Sequence, residues 1–144
     1  MKISFPLAII IALLSTNWLS AHCQVPCGVY GDSARFTQML EDQTTIAKAI
    51  SQIGDLAGKK DAQSANQLAR WVSTKEDHAN KIQKIIAEYF LTQRIKPTSE
   101  KYEGLLKGAH SVMVAAMKCK QGTNPKSADA LKVTIENFQT VYEK

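Results

Sequence analysis

The residues best suited to chemistry stand together near the N-terminus, in His22-Cys23-Gln24-Val25-Pro26-Cys27-Gly28-Val29-Tyr30. One imidazole and two thiols fall between His22 and Cys27, and Tyr30 follows closely. A cut after Ala21 would give His22 a free α-amine beside the Cys23 amide nitrogen. Nitrogen and sulfur donors in a flat arrangement suit a tetragonal Ni(II) or Cu(II) ion. Zinc usually takes four side-chain ligands, and this stretch supplies three: His22, Cys23 and Cys27. Thiolate donors lower the potential at which a metal is oxidised, which points to redox cycling. A second reading of the same thiols stays open, because a cysteine pair in an exported chain is by default a disulfide. A bond closing so short a loop adds little stability to a helical core. Pro26 restricts the backbone and Gly28 frees it, so both shape the path of the segment. The spacing of Tyr30 fits an ordinary aromatic at the edge of a bundle.

What precedes this stretch decides its chemistry. Met1-Lys2 is a short basic start, Ile3 to Leu14 is apolar apart from Ser4 and Pro6, and Ser15 to Ala21 is mostly small or polar. That is the layout of a secretory signal peptide, with an apolar run too short to span a membrane comfortably. Residues 1–21 are therefore expected to be a cleaved leader and residues 22–144 a single domain. The leader implies a processing protease. It implies export to a periplasmic or extracellular space if it acts as a secretory signal, and a cytoplasmic protein after cleavage otherwise.

The elements that must hold the N-terminal stretch are helical. Apolar residues recur at three- and four-residue steps in four runs. The first begins after the turn Gly31-Asp32-Ser33, where an N-cap residue is available. It carries Phe36, Met39, Ile46, Ile50 and Ile53 and ends at Gly58. The second runs from about Ala62 to Thr92. Its expected inward face is Ala65, Leu68, Ala69, Val72, Ala79, Ile82, Ile86, Tyr89 and Phe90, interrupted at Lys75 and Glu76. Pro97 breaks the pattern, and Thr98 or Ser99 can cap a third helix over 100–120, with Tyr102, Leu105, Ala109, Val112 and Ala116 inward. In Gln121-Gly122-Thr123-Asn124-Pro125, Gly122 fits the residue past a helix end, Asn124 an N-cap and Pro125 the first helical position. The fourth helix carries Leu131, Ile135, Phe138, Val141 and Tyr142 inward. Short turns between four helices predict an all-α, up-down-up-down antiparallel four-helix bundle behind an N-terminal hook.

The chain has 144 residues, 44% of them apolar and 22% charged, with formal net charge +5. The lysines are spread over every run, without the clustered basic face and interleaved aromatics of a nucleic-acid binder. No nucleic-acid partner and no stable membrane association of the mature chain are expected. The positive excess favours the approach of a small anion. Cys119 reads as a small packing residue, His110 as a structural or surface residue, and Trp71 as a core or subunit contact. No phosphate loop, Ser-His-Asp order or His-Glu-x-x-His zinc signature is present.

The run His22-Cys23-x-x-Pro26-Cys27-Gly28-x-Tyr30 resembles the nickel hook of the nickel-dependent superoxide dismutase family. The resemblance extends over residues 22–144, and Tyr89-Phe90 is similar to a Tyr-Phe pair of that family. It implies one nickel ion per subunit, held by the His22 α-amine, the Cys23 amide nitrogen and the Cys23 and Cys27 thiolates. The His22 imidazole joins as an axial ligand in the oxidised state. It implies alternation between Ni(II) and Ni(III), conversion of superoxide to oxygen and hydrogen peroxide, and a homohexamer. Tyr30 and Tyr89 would order water and limit access. The pattern departs in three places. Gln24 stands where an acidic residue is common. A family Glu that supports the axial imidazole falls near Thr37, and an Arg with the same role falls on His78. Gln24 and His78 are thus the candidates for contact with the ligating residues. The competing expectation is an exported, non-enzymatic helical-bundle binding protein with a Cys23–Cys27 disulfide. The presence of His22, Pro26, Gly28 and Tyr30 in one motif favours the enzyme.

Overall fold

The computed structural model describes residues 31–144, and within them the chain is four helices and no strand. Helix α1 is Ser33–Leu56, α2 begins at Ala62–Lys84 and runs on as a π-helical segment Ile85–Arg94, α3 is Tyr102–Gln121 and α4 is Pro125–Glu143. Pairs along the helices fix their directions. Asp42 meets His78, and Lys48 stands over Trp71, so α1 and α2 run antiparallel. Gln83 bonds the Met113 carbonyl across α2 and α3. Gly108 lies against Phe138 across α3 and α4, and Gln43 bonds the Ala128 carbonyl across α1 and α4. This is the expected up-down-up-down bundle.

The turns obey their residue chemistry in part. Gly58 adopts φ +85°, a left-handed conformation suited to glycine, and closes α1. Asp61, not singled out beforehand, caps α2 by accepting from the Ser64 backbone nitrogen at 2.8 Å. Asn124 accepts from the Lys126 nitrogen at 3.0 Å, with Pro125 opening α4 as expected. Gly122 differs from the expectation: it is extended, φ −149° and ψ −179°, so the chain straightens into Asn124. Helix α3 begins at Tyr102, two residues past the rough expected start at Glu100. Ser99 Oγ accepts from the Lys101 nitrogen in the preceding turn, and no side chain caps the helix itself.

Several expected core positions of α2 lie outside the core. Ala65, Ala69 and Val72 are exposed and Leu68 is only half-buried, while Lys75 is 3% exposed. The cause is relative helix length. Lys75 lies level with the last turn of α3, where its Nζ bonds the Cys119 carbonyl at 2.8 Å and the Lys120 carbonyl. Everything in α2 before Lys75 therefore extends past α3 as a hairpin with the end of α1. The Lys75 charge satisfies carbonyls that the end of α3 leaves without helical partners, and its sign suits a helix C-terminus. Glu76 supplies the counter-charge at 3.0 Å. Val141 is likewise at the surface, one turn from the end of α4. Among the described residues no helix is long and apolar enough to cross a membrane.

The aromatic residues of the core gather at the opposite end of the bundle, where residue 31 enters. Phe36, Tyr89, Phe90, Phe138 and Tyr142 form one aromatic cluster there. Phe90 is its hub, with ring centroids at 4.9 Å from Phe36, 5.3 Å from Tyr89, 5.0 Å from Phe138 and 5.2 Å from Tyr142.

Candidate functional site

The expected ligands His22, Cys23 and Cys27, together with Gln24 and Tyr30, lie outside the described residues. What the bundle offers is the surface at which that stretch joins it. Gly31 has φ +76°, again a glycine conformation, and Asp32 follows at the N-cap position of α1. The expected cap is not made: Asp32 is helical itself, with φ −73° and ψ −22°, and its side chain does not bond its own helix. Its carboxylate faces across the bundle end. It accepts hydrogen bonds from the Tyr89 hydroxyl, from the Tyr142 hydroxyl at 2.6 Å, and from Arg94 through Nε at 3.1 Å and Nη2 at 2.5 Å. Arg94 Nε also lies 3.2 Å from the Tyr142 hydroxyl. Three elements therefore meet on one carboxylate.

The π-helical segment explains how Tyr89 and Arg94 both reach it. An α-helix advances 100° per residue, so residues five apart would point 140° away from each other. Here the turn closes over five residues: the Ile95 nitrogen bonds the Phe90 carbonyl at 2.8 Å, and Thr92 Oγ1 bonds the Ala87 carbonyl at 2.7 Å. The wider turn returns Arg94 to the face that Tyr89 occupies. Such segments are rare and recur at functional sites.

The electrostatics follow from this arrangement. Burial alone would raise the Asp32 carboxyl. Hydrogen bonds from Tyr142, Tyr89 and Arg94, with the Arg94 charge, outweigh it and hold the group below the ordinary aspartate value of 3.8. Burial and then the Asp32 bond raise Tyr89 above the usual phenol range, and the same two causes push Tyr142 up to about 12. Both hydroxyls thus keep their protons at any physiological pH. The Asp32 hydrogen bond raises Arg94, so its charge is permanent. Because the folded Asp32 titrates below 3.8, the stability it contributes is present above that pH and is lost as pH falls through the lowered value. In urea titrations, Asp32→Asn is expected to flatten the loss of stability between neutral and strongly acidic pH. An equal acid dependence in both proteins would count against the paired carboxylate.

Of the other expected residues, Tyr89 alone is at this end of the bundle, 1% exposed, with the Arg35 guanidinium 5.0 Å from its ring centroid. His78 lies further back along α2. Its Nδ1 is 2.6 Å from Asp42 Oδ1, and eleven residues separate it from Tyr89, or about 16 Å of helix. The second Asp42 oxygen is buried without a partner among the described residues. Thr37 is exposed and bonds its own helix at the Ser33 carbonyl. Cys119 is fully buried, and burial pushes its thiol up to about 11 against the opposing Lys75 charge, as fits a packing residue. His110 is on the surface. Asp32, Arg94 and Tyr142 were not expected as site residues, and Tyr142 was read only as an inward residue of the fourth helix. Asp32 carries a local capping signal, and no local signal ties it to residues 57 and 110 positions away.

The described residues contain no group of three His, Cys, Asp or Glu side chains able to hold a metal ion. The N-terminal stretch has the donor set a nickel site needs: soft thiolates with nitrogen donors. A sequence model of the family described as nickel-containing superoxide dismutase matches residues 17–144. No curated protein and no solved structure matches the chain. The family match leaves the non-enzymatic alternative without support. The chain belongs to the nickel-containing superoxide dismutases, oxidoreductases that use nickel to act on superoxide.

Proposed function

We propose that dismutation takes place on residues 22–30, with His22, Cys23 and Cys27 holding one nickel ion and Tyr30 and Tyr89 covering it. The observation that carries this reading is the Asp32–Tyr89 hydrogen bond, two residues after Tyr30. Bound nickel supplies one-electron oxidation of one superoxide and one-electron reduction of the next. The chain's own residues do the rest. The His22 amine and both thiols bind as deprotonated donors, so loading is favoured as pH rises. Tyr89 keeps its phenol proton, since burial and Asp32 both raise it, and it acts as a neutral wall. The chain's positive net charge draws a small anion. His78 is paired with Asp42, and we assign it and Gln24 a supporting role toward the ligating residues on the resemblance alone.

Removal of residues 1–21 by a protease creates the His22 amine, and export and activation are then one event, ending in a periplasmic or extracellular space. The mature chain assembles as a homohexamer. Its hairpin end supports assembly, because Leu68 and Val72 lie beyond the reach of α3 and Val72 is 40% exposed. One purification of the native protein tests these points. N-terminal sequencing is expected to start at His22, metal analysis to find about one nickel per chain, and thiol titration to find no disulfide. Sedimentation is expected to give six copies, and fewer after Val72→Asp. A start elsewhere removes the amine ligand and sinks the site, and an intact Cys23–Cys27 disulfide without metal returns the chain to a binding protein.

A further inference from the structure

We infer that Asp32 is a positioning residue for dismutation, a clamp that fixes where the metal-binding stretch leaves the bundle. The inference rests on the assignment of residues 22–30 as the nickel site. An Asp at the start of a helix ordinarily accepts from its own first turn, which is worth about 1 kcal/mol. Asp32 forgoes that bond. No side chain caps the first turn of α1, where the Arg35 nitrogen donates to the Asp32 carbonyl at 3.0 Å. The side chain instead takes Tyr89, Arg94 and Tyr142, which belong to the π-helical segment and to the last turn of α4. Bonds with ionised partners are the strong ones, and the Arg94 contact uses two N–H groups of one guanidinium.

The consequence is geometric. Chain enters the bundle at Gly31, so whatever precedes it is aimed by the conformation of Gly31 and by the attachment of Asp32. The same carboxylate orients the Tyr89 hydroxyl. One group therefore holds both the point where the metal-binding stretch joins the bundle and Tyr89, the tyrosine proposed above to cover the metal. All proposed nickel ligands precede Asp32, so loss of the clamp leaves the ligand set intact and alters only its placement. Misplacement of a reacting group by a change far from the chemistry is worth up to about a hundredfold in rate.

The informative variant is Asp32→Ser in the full nickel-loaded protein. Serine is as good a helix N-cap as aspartate, so the start of α1 is preserved while the three long-range partners are lost. The expected result has three parts. Nickel content and far-UV circular dichroism stay at wild-type levels. Amide hydrogen exchange over residues 34–37 quickens, as local opening no longer requires breaking the clamp. The value of kcat/KM falls roughly ten- to hundredfold, and Asp32→Glu restores part of it. Faster exchange with unchanged kcat/KM would reduce Asp32 to a brace and overturn the inference, and so would loss of activity in step with loss of nickel. Should the serine variant not fold, Tyr142→Phe and Arg94→Gln each remove one arm and are expected to shift exchange and rate in the same direction. A wild-type protein without nickel sinks the site assignment instead, and the exchange measurements still report on the clamp.

Discussion

Cys27→Ser is expected to cost the protein its nickel and at least about a hundredfold in dismutase activity, with the helical signal unchanged. The magnitude has a lower bound: disturbing residues that merely support a metal ligand typically costs about 10–100-fold in affinity or activity, and a ligand is worth more. Serine is nearly isosteric with cysteine, but its hydroxyl does not ionise near neutral pH, and a neutral oxygen is a poor substitute for a soft thiolate on nickel. The rest of the fold does not depend on the substitution. Among the described residues the buried core begins at Phe36, and each of its members lies in the four helices or, for Ile95, just past the π-helical segment. The measurement is nickel content by elemental analysis beside superoxide consumption and circular dichroism. A serine variant that keeps stoichiometric nickel and full activity would remove Cys27 from the site. Parallel loss in Cys23→Ser is expected, because both thiolates are proposed to serve the same ion. A disulfide would behave differently: breaking it from either side would leave metal content untouched.

Helix number, order and most of the inward faces could be read from periodicity, because each depends on residues three and four apart. Phe36, Ile46, Leu131 and Phe138 are buried where the pattern puts them. Asn124-Pro125 opens α4 as the local chemistry demands. The failures share a different cause. Ala65, Ala69 and Val72 have the spacing of a core face, but burial requires a facing helix, and α3 ends level with Lys75. No local pattern states where a neighbour stops. Lys75 reads as an interruption, yet it is buried because it meets the carbonyl end of that neighbour. The π-helical segment was equally hidden. Ile82, Ile86, Tyr89 and Phe90 fit an α-helical stripe, and only the five-residue bonds reveal that Arg94 has rotated onto the same face. At the site, the metal-binding stretch was legible since its donors are contiguous. The Asp32 clamp was not, since Tyr89, Arg94 and Tyr142 come from distant points of the chain.

Phe90→Ala tests how far the site depends on the packing behind it. Phe90 is fully buried and touches four other rings. Truncating a core phenylalanine costs about 3–5 kcal/mol, from lost transfer energy and the cavity left behind. Part of that cost is the loss of three edge-to-face pairs, with Tyr89, Phe138 and Tyr142, each worth about 0.5–1.5 kcal/mol. Native domains are stable by only about 5–15 kcal/mol, so the variant is expected to lose about a fifth of its stability or more. For a chain of this size the midpoint of thermal unfolding should fall by roughly 10 °C or more. The effect reaches the site by a short route. Phe90 is next to Tyr89 in the chain, and its ring packs against Tyr142, so two of the three residues that bind Asp32 rest on it. Below the lowered midpoint the variant is therefore expected to keep its nickel, because the proposed ligands precede the bundle, and to lose activity because Tyr89 and Tyr142 no longer hold Asp32 in one place. Phe90→Leu, which refills most of the cavity, is expected to recover most of the stability. If Phe90→Ala unfolds at the wild-type temperature, the aromatic cluster is not the support that its burial indicates. If it unfolds early yet retains full activity when folded, catalysis is independent of the cluster, and Asp32 must hold its partners without it.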